Sequence, residues 1–272
     1  MKDHIVFSHA NGFPAPIYRR LFEAWAPEFE ISAIDRYGHD LHYPVSRGWP
    51  RLVDQLCEHA QAVETRGSRL WLVGHSLGGY LSLLAARRLG DKVSGIVLLD
   101  SPLIAGFSAR LLKFGRWSGL DRHFIPLEQT LQRRTHWPDV DAVHAHYAVK
   151  PGFAAWDSRV LRDYAELGTV ATAQGRELLF DRNVEYQIYR SIPSSSVVAA
   201  ASHLTIPVSF IAGTRSREMR QTGLRATKRL VGDRLAWIEG SHLFPMESPE
   251  RSAALVNEMI SAMRTSSMAA AA

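Results

Sequence analysis

The chain has 272 residues, 46% of them hydrophobic and 22% charged, the balance of a globular protein with one large domain or a core carrying an insertion. Its formal charge of +5 comes from scattered arginine, densest over residues 110–122 and 215–229, without the aromatic interleaving or motifs of a nucleic-acid platform. No apolar run reaches membrane-spanning length, the N-terminal run is too short for a signal peptide, and the single cysteine, Cys57, rules out an internal disulfide and suits a cytoplasmic protein.

In chain order, His4 to Phe7 reads as a first short strand, left through a loop of small residues, Ser8-His9-Ala10-Asn11-Gly12-Phe13-Pro14. A helix is predicted over residues 18–26, a second strand over 30–34, and a turn at Asp35-Arg36-Tyr37-Gly38-His39. A further helix over 49–64 carries Cys57 on its apolar side, as buried filler rather than a nucleophile. The strand predicted over 70–73 runs straight into Gly74-His75-Ser76-Leu77-Gly78, which is G-x-S-x-G, and then into a helix marked by Tyr80, Leu81, Leu84 and Ala85. A serine on a sharp strand-to-helix turn needs small neighbours, and Gly74, Gly78 and Gly79 supply that room. The N–H of Leu77, at the helix N-terminus, is then free to face an oxyanion. Arg87, Arg88 and Gly90 close the helix, and the missing Lys-Ser or Lys-Thr excludes a phosphate loop.

Residues 93–99 form a near-continuous apolar run, as expected of a strand buried on both faces, and end at Asp100-Ser101-Pro102. From 103 to 203 the strand–helix alternation gives way to helical segments broken at Pro126, Pro138 and Pro151-Gly152. Their aromatics (Phe107, Phe114, Trp117, Phe124, Trp137, Tyr147, Trp156, Tyr164) read mostly as core. His144 and His146 lack a third metal ligand at suitable spacing and are better explained by a helix. Alternation resumes with a strand over 207–212, a helix over 219–230, a strand over 235–238 that closes at Glu239-Gly240-Ser241-His242, and a last helix from Pro249 to about 263. Alternating strands and helices predict a mostly parallel sheet with helices on both faces. Functional sites in such sheets lie at the carboxyl ends of the strands, where Asn11, Asp35, Ser76, Asp100 and His242 all fall.

The HANGFP loop, the Asp35–His39 turn, the GHSLGG turn, and Gly240-Ser241-His242 followed by Glu247-Ser248-Pro249 appear in an order and spacing that resemble the α/β-hydrolase superfamily. The resemblance implies an α/β-hydrolase core over residues 1–102 and 204–265, a helical cap inserted at 103–203 and a disordered tail at 266–272. The leading antiparallel strands of many members have no counterpart, so a shortened sheet is expected. By the same resemblance Ser76 is the nucleophile, His242 its base, and a backbone N–H of Asn11, with Gly12 as the alternative, the second oxyanion donor beside Leu77. Ala10 stands where relatives often have Gly. His75 is expected to pack or hydrogen-bond beside the nucleophile.

The acid departs from the family pattern. Ser216 stands where relatives carry an Asp after the strand at 207–212, and a neutral hydroxyl cannot charge-stabilise an imidazolium. Asp100 and Glu218 are the two substitutes, and Asp100 is preferred because a strand end holds a side chain more rigidly than a helix start. The expected activity is hydrolysis of an ester or related acyl bond through an acyl-enzyme, on a small-molecule substrate, with no metal or organic cofactor and with homodimerisation left open. Carbon–carbon bond hydrolysis or another reaction on the same fold, and a non-catalytic ligand-binding member with a vestigial site, are the alternatives.

Overall fold

In a computed structural model the chain is described over residues 2–64, 67–105 and 127–271. The basic run 110–122 and the aromatics Phe107, Phe114, Trp117 and Phe124 lie outside the described residues. Four strands come first: β1 (Asp3–Ser8), β2 (Phe29–Ala33), β3 (Leu70–His75) and β4 (Gly95–Leu99). Three short ones follow, β5 (His136–Trp137), β6 (Thr169–Thr172) and β7 (Gly175–Leu178), and then β8 (Val208–Gly213) and β9 (Leu235–Ile238).

The main sheet has six strands in the order β2-β1-β3-β4-β8-β9, every neighbouring pair parallel. The apolar runs dictate this arrangement. Strands β3, β4 and β8 are buried along their whole length, which only a sheet covered on both faces permits. Successive side chains point to opposite faces. Ile5, Phe7, Trp71 and Val73 therefore pack with Leu21 and Trp25 of the helix Arg19–Trp25 and with Val256 and Ile260 of the helix Pro249–Ala271. Val6, Leu70 and Leu72 meet Leu52 and Leu56 of Pro50–Ala62 and Leu81 of Leu77–Leu89 on the other face.

Two local readings need correction. The helix expected over 219–230 is two helices, Arg217–Thr222 and Arg225–Val231, because Gly223 takes φ +72° and its N–H caps the first at Met219 O, 2.9 Å away. The last helix continues to Ala271, past the end expected near 263.

Between β4 and β8 the chain is not wholly helical. Besides the helices Val140–Ala148, Ser158–Leu167, Arg182–Arg190 and Ser194–Ser202, β5, β7 and β6 form a three-stranded antiparallel sheet. These strands are two to four residues long, and three of the four residues of β6 are exposed. They consequently carry no apolar alternation to read. The segment is tied to the core by Asp163, 1% exposed, which accepts from Arg19 and, at 3.0 Å, from Arg20 Nε. Its Tyr147, Trp156 and Tyr164 join Phe13 of the HANGFP loop in one buried aromatic cluster.

Candidate active site

Chain order in the sheet reverses between β1 and β3, since β2 lies outside β1 while β4, β8 and β9 extend from β3. The crevice at such a switch point is where α/β sheets place their sites. The pairing Ser8 opposite Gly74 ends both strands at one level, so the HANGFP loop and Ser76 leave the sheet side by side. Ser76, between β3 and the helix Leu77–Leu89, has φ +54° and ψ −112°, a backbone state costing a non-glycine residue roughly 1–3 kcal/mol. The glycines around it explain why the turn can close. A Cβ on Gly78 would come within 1.9 Å of Ser8 O, one on Gly74 within 2.3 Å of Gly78 C, and one on Gly79 within 2.2 Å of Ser101 Oγ. The turn is fixed to the next strand by Ser76 N–H on Leu99 O (3.0 Å) and by Ser101 Oγ on Ser76 O (2.9 Å).

One strand further along, Asp100 follows β4, fully buried and with φ +44°. Its Oδ1 accepts the N–H of Gly213 at 2.9 Å. Its Oδ2 accepts from His242 Nδ1 at 2.7 Å and from Ser216 Oγ at 2.6 Å. The carboxylate thus orients the imidazole with Nδ1 protonated and the Nε2 lone pair free. Glu218 Oε2 stands 3.7 Å from the same Nδ1, on a side chain that is 46% exposed. Of the two candidate acids, Asp100 makes the hydrogen bond, and Ser216, standing where an acid was sought, donates to it. Burial alone would depress the His242 imidazole, but the Asp100 hydrogen bond and the charges of Glu218 and Asp100 outweigh it and raise its pKa. His242 lies beside the serine turn, with its ring centroid 5.1 Å from that of His75.

A buried chain of hydrogen bonds joins three of these segments. His75 Nε2 lies 2.8 Å from His242 O, a carbonyl that can only accept, so Nε2 carries the ring proton. Nδ1 must then accept from Tyr18 Oη at 2.8 Å, and Tyr18 Oη in turn accepts the N–H of Ala10 at 3.1 Å. Burial, with His242 adding to it, pulls the His75 imidazole down to about 3, so it stays neutral. His9, also buried and lowered to about 4, donates from Nδ1 to Ala10 O (2.8 Å) and accepts from Tyr37 N–H (3.0 Å). Sequence reasoning placed His75 correctly as a hydrogen-bonding neighbour but missed Tyr18, whose helical position gave no polar signal.

Asn11 is buried and donates from Nδ2 to Glu185 O at 2.9 Å. Gly12, at φ +80°, has no room for a side chain, because a Cβ would meet Glu185 Oε1 at 2.6 Å. Glu185 is held by Arg133, whose Nη2 also donates to Tyr164 Oη at 2.6 Å. The segment between β4 and β8 therefore rests directly on the HANGFP loop. Asp35, grouped with the site residues by sequence, makes none of these contacts. Its side chain is exposed, and its carbonyl accepts from Ala15 N–H at 2.9 Å. Cys57 is half-buried against the helix Leu77–Leu89, with its Sγ 3.9 Å from Ala85 O, and no metal-holding group among the described residues includes His144 or His146. Among the described residues no helix is long and apolar enough to cross a membrane.

Three solved structures resemble this one over nearly the whole chain. E-2-(acetamidomethylene)succinate hydrolase superposes with a TM-score of 0.77 at 24% identity, covering 96% of this chain and 92% of the other. The thioesterase domain from the curacin biosynthetic pathway gives 0.70 at 17%, with 94% and 90% covered. N-formylmaleamic acid deformylase from Pseudomonas putida S16, as its S94A variant, gives 0.65 at 14%, with 94% and 92% covered. No curated protein matches the chain by sequence. The alpha/beta hydrolase family matches over residues 5–255, which takes in β1 from Ile5 on, the other five strands of the main sheet, and both Ser76 and His242. The chain belongs to the alpha/beta hydrolase family.

Proposed function

We infer that the protein is a serine hydrolase that cleaves an ester or related acyl bond through an acyl-enzyme intermediate. The observation that carries this reading is the 2.7 Å bond between His242 Nδ1 and the buried Asp100 carboxylate, made beside a serine held at φ +54°. Ser76 Oγ attacks the acyl carbon while Nε2 of His242 takes its proton. The imidazolium is stabilised by Asp100, which remains ionised. The N–H groups of Leu77, at the first position of its helix, and of Asn11 hold the oxyanion. The imidazolium then protonates the leaving group, and a water deprotonated by His242 attacks the ester of Ser76 and releases the acid. No step needs a metal or an organic cofactor.

A panel of short nitrophenyl esters and acyl thioesters tests the reaction, and a fluorophosphonate probe tests the nucleophile. Hydrolysis together with labelling at Ser76, absent from Ser76→Ala, is expected. A chain that neither hydrolyses any member nor takes the label is a binding protein with a vestigial site, and a Ser76→Ala variant that keeps hydrolysing overturns the assignment.

A further inference from the structure

The family position for the acid, after β8, holds Ser216, and the carboxylate on His242 comes instead from the end of β4. Glu218 remains two residues beyond Ser216. His242 Nδ1 therefore faces two carboxylates rather than one, Asp100 Oδ2 at 2.7 Å and Glu218 Oε2 at 3.7 Å. The three ligand atoms lie within 4.8 Å of one another. A tetrahedral zinc ion, with ligand bonds of about 2.0–2.2 Å, needs its donors about 3.3–3.6 Å apart. Nδ1 and Glu218 Oε2, at 3.7 Å, stand near that spacing, and a cation would replace the proton held between Nδ1 and Asp100 Oδ2 at 2.7 Å. Ser216 Oγ lies 2.6 Å from Asp100 Oδ2 and 3.3 Å from Glu218 Oε2, between the two carboxylates.

Charge and access favour a cation. Two carboxylates surround a neutral imidazole, and the neighbouring Arg215 is already engaged with Glu239 and Glu247. Asp100 is sealed in the interior, whereas the Glu218 side chain at the start of its helix is 46% exposed and that of His242 18%. One carboxylate and one imidazole are what any such His–acid pair presents. The second carboxylate, reaching the same nitrogen, turns the pair into three donors of the kind that hold Zn²⁺.

We propose that His242 Nδ1, Asp100 Oδ2 and Glu218 Oε2 form an inhibitory site for a divalent transition-metal cation such as Zn²⁺, a regulator rather than a cofactor. The inference rests on the reading of His242 as the base of Ser76. Binding takes the Nδ1 lone pair, so the proton on Nδ1 moves to Nε2 and the ring stays neutral. Nε2 then carries N–H where catalysis needs a lone pair, and it cannot accept the Ser76 proton. Nothing is oxidised or reduced, and removal of the cation returns the proton to Nδ1. The cation sits on the Nδ1 side of the imidazole, away from Nε2, so kcat falls while KM holds.

The test uses the purified full chain freed of metal by a chelator. Zn²⁺ is titrated calorimetrically, and separately into a nitrophenyl ester assay at low and saturating substrate. Binding at one site per chain is expected, with loss of kcat that EDTA reverses. Glu218→Gln, isosteric at a half-exposed position, should weaken both binding and inhibition by at least about tenfold, the factor that even a supporting partner of a metal ligand commands. Equal Zn²⁺ affinity in both proteins overturns the site, and binding that leaves kcat intact overturns the inhibition. Calorimetry reads the site whether or not the chain hydrolyses the ester, so failure of the enzymatic reading is seen separately.

Discussion

The carboxyl ends of β4 and β8 lie next to each other, with Leu99 opposite Ile211, yet they contribute differently to the site. The end of β4 supplies a charge, Asp100, fully buried and held at φ +44°. The end of β8 supplies only dipoles to that charge, the Gly213 N–H on Oδ1 and the Ser216 hydroxyl on Oδ2. What the imidazole requires is a carboxylate oxygen at Nδ1 with its other lone pairs satisfied, and either strand end can deliver it. In the proposed reaction the acid stands at the end of β4, and the position after β8 donates a hydrogen bond to it through Ser216.

Four substitutions probe that division, the largest effect first. Ser76→Ala should cost about six orders of magnitude in turnover, the loss known for triad nucleophiles, with the fold intact by circular dichroism. A smaller loss means that the two strand ends serve something other than this serine. Asp100→Asn should cost about four orders, because an amide can neither hold the Nδ1–H tautomer nor stabilise the imidazolium. If Glu218→Gln proves the more damaging of the two, the assignment of the charge to β4 is wrong. Tyr18→Phe leaves the buried Ala10 N–H and His75 Nδ1 without a partner, which at about 1–3 kcal/mol should show in urea unfolding.

The comparison also invites a direct swap. Asp100→Ser alone removes the charge, and Asp100→Ser combined with Ser216→Asp returns it from β8. If the strand of origin is immaterial, the pair should regain at least about tenfold in kcat over the single variant, equivalent to ~1.4 kcal/mol. No recovery would mean that the strained backbone at Asp100 matters as much as its carboxylate.

How much of this was legible beforehand follows from the physics of each signal. The parallel sheet was readable because strands buried on both faces must be continuous apolar runs, and 70–73 and 93–99 were. The strand-to-helix turn at Ser76 was readable because its three glycines are sterically compelled, each within 2.3 Å or less of a neighbouring atom were a Cβ added. The choice of Asp100 over Glu218 rested on the rigidity of strand ends, and of the two it is Asp100 that bonds His242 Nδ1, at 2.7 Å against 3.7 Å. Ser216 was read only as lacking an acid's charge, and its bond to Asp100 was not foreseen, since a single serine in sequence carries no sign of what it donates to. Gly223 was overlooked as a helix break because one glycine inside an apolar period looks tolerable until its φ is known. The little sheet of β5, β6 and β7 was invisible for a different reason: exposed two- to four-residue strands bury too little to impose a pattern.

The smallest predicted effect separates Glu218 from Asp100 by electrostatics alone. His242 acts as a base only when neutral, so activity rises with pH through its pKa. That pKa is raised, burial being outweighed by the Asp100 hydrogen bond and by the Glu218 and Asp100 charges, so the acid limb of the kcat profile should lie above the ordinary histidine value of 6.5. Glu218→Gln deletes one of the raising charges and leaves the hydrogen bond in place. The limb should therefore move to lower pH without collapse of the plateau, by less than the ~1.4 kcal/mol that one full unit represents. A shift in the opposite direction, or a plateau that falls as it does for Asp100→Asn, would show that the exposed carboxylate after β8 shares the structural work of the buried one after β4.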